Sequence, residues 1–241
     1  MSQPIVSIVD VVKEYQLGST VVPALRGVSL DVHPGEFISI AGPSGSGKTT
    51  LLNLIGCVDT ATRGLVRVVG RDTASLAERE LTRLRLDTIG FIFQSFNLVG
   101  VLNVFQNVEL PLLLQGRLGR ADRRKRVEGL LEQVGLADHA RHRPCELSGG
   151  QRQRVAVARA LVGGPQIVLA DEPTANLDSV TGEKIVDLMK ELNQRDGTTF
   201  IFSTHDARVM AHADALVKLA DGKIVGREVI THDAAVGTGS H

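Results

Sequence analysis

An apolar run, Phe37–Ala41, leads directly into Gly42-Pro43-Ser44-Gly45-Ser46-Gly47-Lys48-Thr49. This is the G-x4-G-K-[ST] pattern placed after a strand-like segment. Its glycines let the backbone wrap closely and aim successive N–H groups at phosphate oxygens. A helix beginning near Gly47 adds unpaired donors and the positive end of its dipole. Lys48 can then reach the β- and γ-phosphates, the Thr49 hydroxyl can ligate Mg²⁺, and Thr50 offers a hydroxyl on the α-phosphate side. A chance Gly/Ser-rich turn is the competing reading. The strand before the loop and the apolar helix Leu51–Cys57 after it weigh against chance. The pattern points to a nucleoside triphosphate without choosing among kinases, GTPases, helicases and transport motors.

The rest of the chain alternates in a way that suits such a loop. Apolar runs at 37–41, 89–93, 167–170 and 199–203 have the continuous character of buried parallel strands. Segments of helical period lie between them, at 47–57, 121–134, 150–162 and 179–194. This alternation predicts a mostly parallel sheet covered by helices. Earlier, Ile5–Lys13 and Val28–Val32 read as short strands, and His33-Pro34-Gly35 as a turn. Residues from about 95 to 163 show helical pattern and no strand, so a helical insertion is expected there. Thr231–His241 is short and polar and is expected to be a mobile tail.

In an open parallel sheet, ligands sit beyond the carboxyl ends of the strands. Ile167–Ala170 ends in Asp171-Glu172-Pro173. Adjacent side chains on an extended segment point apart, so the two carboxylates should divide the work. Asp171 is expected to hold the metal, usually through water, and Glu172 to polarise the attacking water. Ile89–Phe93 ends in Gln94, which can bond both a metal-bound water and the nucleophile. Thr199–Ser203 leads to Thr204 and His205, whose imidazole can donate to a γ-phosphate. Singly, Gln94 and His205 are weak candidates; a shared sheet edge is what raises them.

Composition narrows the class. Lys+Arg and Asp+Glu are equal at 27 each, and no basic excess suited to nucleic acid appears. Hydrophobic residues at 43% and charged residues at 22% fit a folded domain. Cys57 and Cys145 have no CxxC spacing, which fits a reducing compartment and buried structural thiols. The N-terminus lacks the pattern of a signal peptide, and no run approaches the roughly 20 apolar residues of a membrane span. Any service to a membrane is expected to pass through a partner.

Leu147-Ser148-Gly149-Gly150-Gln151 heads an apolar-periodic segment in the helical insertion. Ser and Gly at a helix N-terminus suit an anion. A second phosphate cradle without a second triphosphate loop indicates a site completed by another copy of the chain. With these residues in order, the sequence resembles the ABC ATPase family over about residues 5–228. The order is Tyr15, 42–49, Gln94, LSGGQ at 147–151, Asp171-Glu172, Asn176-Leu177-Asp178 and His205.

The resemblance implies an α/β fold: a P-loop NTPase sheet core with an N-terminal antiparallel β subdomain and a helical insertion. It implies one domain over 1–230, its helical subdomain at about 95–163. Two subunits would sandwich two ATP molecules head to tail, with Mg²⁺. Tyr15 would stack on adenine, and Ser148, Gly150 and Gln151 would approach the triphosphate held by the partner's loop. Asp178 would lie at the subunit interface. A homodimer driving an integral membrane permease is implied, held peripherally at the cytoplasmic face of the cell membrane.

Ile89–Leu113 resembles the branch with lipoprotein-releasing and macrolide-export ATPases and the cell-division ATPase. Val99-Gly100-Val101 and Gln106 depart from that pattern where a permease helix would dock. DNA-repair ATPases of the same fold carry long coiled coils, and translation-associated ones two domains per chain; neither appears here. A regulatory ATPase of an envelope complex remains the alternative.

Overall fold

The computed structural model describes residues 3–230, so the expected tail at 231–241 lies outside the described residues. Strands β1 (Val6–Leu17) and β2 (Thr20–Val32) open the chain, followed by β3 (Phe37–Ala41) and helix α1 (Lys48–Ile55). Then come β4 (Arg63–Val68), the two-residue β5 (Arg71–Asp72), α2 (Glu78–Thr88) and β6 (Ile89–Ile92). Helices α3 (Val104–Gln115), α4 (Arg120–Gln133) and α5 (Gly149–Leu161) precede β7 (Ile167–Asp171). The remainder is α6 (Ser179–Asp196), β8 (Thr199–Thr204), α7 (Ala207–Met210), β9 (Ala215–Ala220) and β10 (Lys223–Val229).

The central sheet runs β10-β9-β3-β8-β7-β6, with β6, β7, β8, β3 and β9 parallel and β10 antiparallel at one edge. Its inner strands are mainly apolar because both faces are covered, and the period of two sends alternate residues to different cores. Phe37, Phe200, Phe202, Val168 and Ala170 face a core with Val108, Leu131, Val157 and Ile185 of the surrounding helices. Ile38, Ile40, Ile201, Ile167 and Leu169 face the other, with Leu51 and Leu54 of α1 and Val6, Val28 and Val66.

That second core is closed by a sheet in the order β2-β1-β4-β5, antiparallel throughout. The N-terminal strands are longer than their apolar stretches suggest: Val6–Leu17 and Thr20–Val32 pair as one hairpin. Gly18 turns it at φ 61. Between β6 and β7 the ordered elements are helices and short 3-10 turns, as the pattern over 95–163 predicts.

Candidate active site

The carboxyl ends of β3, β8 and β7 meet in register, Ala41 beside Thr204 and Asp171 beside Ser203. The phosphate loop leaves β3 at this edge and enters α1 through Gly47 at φ 104, a conformation glycine alone adopts easily. A Cβ on Gly42 would stand 2.1 Å from Leu219 O, so backbone packs where a side chain would go. Lys48 is only 8% exposed. Its Nζ donates to Gly42 O at 2.8 Å and Pro43 O at 3.1 Å and lies 3.9 Å from Glu172 Oε1. Ser46 is buried, with its Oγ unpaired inside the loop.

A cavity of about 610 Å³ opens over this edge. Ser44, Gly45, Gly47, Lys48, Thr49, Thr50, Gln94, Asp171, Glu172 and His205 line it, with Ala24 and Ala175. The residues expected from four separate strand ends therefore share one space, while Gly42, Pro43 and Ser46 of the same loop do not line it. A larger cavity, about 770 Å³, lies by the amino ends of β7 and β8, where Pro165 and Thr198 line it, and it holds none of these groups.

The two carboxylates have separate partners, although Glu172 lies just past the end of β7 and not on extended backbone as expected. Asp171 Oδ2 accepts from Thr49 Oγ1 at 2.9 Å, and its Oδ1 accepts from Ser203 Oγ at 2.6 Å. Ser203 Oγ also accepts from the Glu172 N–H at 2.9 Å. That contact fixes Glu172 at φ 47, a left-handed conformation costing a non-glycine residue about 1–3 kcal/mol. Glu172 Oε2 then meets His205 Nδ1 at 3.0 Å. Ser203 was not among the expected residues, although a polar residue ending an apolar strand beside Asp171 is a readable signal. Asn176, named above only as part of Asn176-Leu177-Asp178, donates from its Nδ2 to Gln94 O at 2.8 Å.

The oxygens of Thr49 and Asp171 form a hard donor pair. Among the described residues no three His, Cys, Asp or Glu side chains cluster as a metal site. One or two protein oxygens completed by phosphates and water is the usual Mg²⁺ arrangement, so the donor set fits that ion.

Tyr15 does not line the cavity but stands beside it. Its hydroxyl donates to Asp59 Oδ2 at 2.8 Å, and Lys13 Nζ lies 4.8 Å from the ring centroid. Burial and the bond to Asp59 raise the phenol pKa, while Thr50 at the start of α1 lowers it. Burial alone would raise the Asp59 carboxyl, but hydrogen bonds from Lys13, Tyr15 and the Thr60 N–H hold it below its usual range. Cys57 is buried and its thiol is pushed up to about 11, whereas Cys145 is exposed.

Ser148, Gly150 and Gln151 are not brought to the cavity. Ser148 caps α5, its Oγ accepting from the Gln151 N–H at 3.2 Å while Gln151 Oε1 accepts from the Ser148 N–H at 2.9 Å. Gln151 Nε2 also meets His139 Nε2 at 3.0 Å. A Cβ on Gly150 would stand 2.5 Å from Thr181 Cγ2, so the glycine has a reason within its own chain. Asp178 caps α6, and hydrogen bonds from Thr181 lower its carboxyl pKa.

The model of one family, described as ABC transporter, matches residues 25–175. The chain belongs to the ABC transporter family. Relatives of this ABC cassette include ABC transporter ATP-binding proteins of Methanocaldococcus jannaschii and Thermotoga maritima. The first is 48% identical over 91% of this chain and 94% of the relative, the second 46% over 93% and 95%. A macrolide export ATP-binding/permease protein of Rhodopseudomonas palustris is 46% identical over 92% of this chain, which spans 34% of that longer protein. A solved dimeric ATP-binding cassette, in a post-hydrolysis state with ADP and Pi, matches with TM-score 0.87 and 46% identity. That match covers 94% of this chain and 99% of that one. The ABC cassette is thus an ATPase, and the expected sheet core with an N-terminal antiparallel sheet and inserted helices is its fold.

Proposed function

We propose that this cassette is a subunit that hydrolyses ATP as a head-to-tail homodimer and drives a separate membrane permease of the export or lipoprotein/peptide-extraction type. The observation that carries this reading is the division of the phosphate machinery. Lys48 and the loop sit in one cavity, while the serine-headed N-terminus of α5 lies outside it. A second copy supplies the missing face. The solved relative with ADP and Pi is dimeric, which supports the same arrangement here.

Within each site the backbone of Ser44–Gly47 and Lys48 bind the phosphates, and Tyr15 stacks on adenine with the face that Lys13 does not occupy. Thr49, Asp171 and Gln94 would hold Mg²⁺, which would supply charge neutralisation to the triphosphate. Glu172 accepts the proton of the attacking water, and His205 keeps that carboxylate oriented and senses the γ-phosphate. ATP contacts two subunits only in the closed dimer, so binding closes it by differential contact and hydrolysis releases it. Residues 1–230 act as one domain, with about 95–163 as its helical subdomain.

An apolar groove of about 390 Å³ between α2, β6, α3 and α5 suits the permease. Phe91 and Phe93 stack at 5.6 Å within it, and Leu114 on its rim is 63% exposed. No helix among the described residues is long and apolar enough to cross a membrane. Relatives named as ATP-binding/permease proteins extend well beyond the cassette, which supports a permease as the occupant. The cassette would then lie at the cytoplasmic face of the cell membrane.

Glu172→Gln tests the reading. Hydrolysis should fall about 10²- to 10⁴-fold, while ATP drives a stable dimer detectable by light scattering. Wild-type turnover, or a monomer at saturating ATP, would refute it.

A further inference from the structure

We propose that Arg159 is a positioning residue for hydrolysis, pinning the loop that carries Gln94 to helix α5 beside the apolar groove. Its Nη1 donates to Asn97 O at 2.6 Å and its Nη2 to Phe96 O at 2.8 Å. Phe96 and Asn97 are consecutive left-handed residues, at φ 60 and 47. Two such residues persist only where surrounding contacts hold them, and one planar guanidinium holds both carbonyls. Arg152, two turns earlier on α5, adds a second tether, its guanidinium lying 5.2 Å from the Phe96 ring centroid. Among the described residues no carboxylate pairs with Arg159. Its charge is met by the loop's carbonyl dipoles instead, which is why the loop and the helix are tied together.

The placement gives this tie a consequence. Arg159 and Asn97 both line the groove, while Gln94, three residues before Asn97, lines the ATP cavity. On the other side Asn176, in the segment after Glu172, holds Gln94 O. Phe93, bonded directly to Gln94, also lines the groove, so residues 93–97 connect groove and cavity, and Arg159 holds the outer end of that segment at Phe96 and Asn97. An occupant of the groove therefore meets this segment at Phe93 and at the end that Arg159 holds. The inference rests on Gln94 serving hydrolysis, as proposed above.

The test is a steady-state ATPase comparison of the full chain carrying Arg159→Met, Arg159→Lys, Gln94→Ala and the Gln94→Ala/Arg159→Met pair, with thermal melts. Arg159→Met keeps the bulk and removes the donors. It should lower kcat about 10- to 100-fold, the scale of a small misplacement, with KM for ATP nearly unchanged. Arg159→Lys should recover part of that loss, since an ammonium cannot reproduce the planar fork. If Arg159 acts through Gln94, the paired variant is no slower than Gln94→Ala alone. Losses that multiply in the pair, or a rise in KM with kcat intact, overturn the proposal. Full turnover by Gln94→Ala sinks the reading of Gln94 itself, and that result is recognisable because Arg159 is untouched in it. Should Arg159→Met fail to fold, the same comparison is made with Arg159→Lys.

Discussion

Tyr15 is the chain's single tyrosine, and there is no tryptophan, so one absorbing phenol reports on the surroundings of Lys13 and Asp59. Its hydrogen-bond partner Asp59 was invisible to the sequence because it lies 44 residues from Tyr15 along the chain. Lys48, Asp171 and Glu172 were readable because motif and strand-end position coincide; Asp59 belongs to no motif and follows a helix. The raised phenol pKa and its causes give a direct check. In an alkaline titration followed by tyrosinate absorbance, the midpoint should lie above the ordinary value of about 10. Asp59→Asn removes the neighbouring charge and should bring it down. The sign for stability follows from linkage. A group with a raised folded pKa contributes stability fully present below its unfolded pKa and lost as pH rises through the folded one. Tyr15→Phe should therefore flatten the decline in melting temperature above pH about 10. An identical alkaline limb in both proteins would contradict the assignment.

At the level of elements, β3, β7 and β8 were legible because strands covered on both faces carry continuous apolar runs, broken only by Ser39 and by polar residues at the strand ends. β4 and β10 were not, since exposed residues such as Arg63, Arg67 and Lys223 break their patterns. α2 has low overall hydrophobicity, burying only Leu81 and Leu84, which hid it. Gln106, the departure from the expected Glu, still accepts from the Asn103 N–H at 3.0 Å and caps α3 in the same manner. Packing distances that no pattern reveals make the sharper prediction. A Cβ on Gly90 of β6 would stand 2.3 Å from Ala160 O of α5, while one on Gly129 of α4 would meet nothing within 4 Å. Gly90→Ala must push strand and helix apart and should cost about 1–3 kcal/mol. Gly129→Ala reduces unfolded-state freedom and should stabilise by about 0.4–1 kcal/mol. Urea unfolding of both variants decides it; equal shifts would show that the β6–α5 approach is not tight.

The molecule as a whole keeps apart the two elements proposed above to form one phosphate site. Lys48 looks into the cavity with Glu172, whereas Ser148 is exposed at the head of α5 and satisfies its own cap. Sequence order suggested this separation, but only the fold shows that the chain leaves the halves apart. If the halves meet across a two-fold axis, each site combines one chain's loop with the other's α5. Lys48→Ala spoils the loop, and Ser148→Arg spoils the opposing face, so either variant alone should be inactive. Mixing them in equal amounts should restore turnover. Half of the dimers are then mixed, and in those one site carries both lesions while the other carries none. Independent sites would give about a quarter of the wild-type rate, measured as phosphate release after the variants are equilibrated without ATP. A site built within one chain predicts no recovery at any ratio, because every copy carries a lesion. The experiment therefore separates a shared site from a private one without any knowledge of the permease.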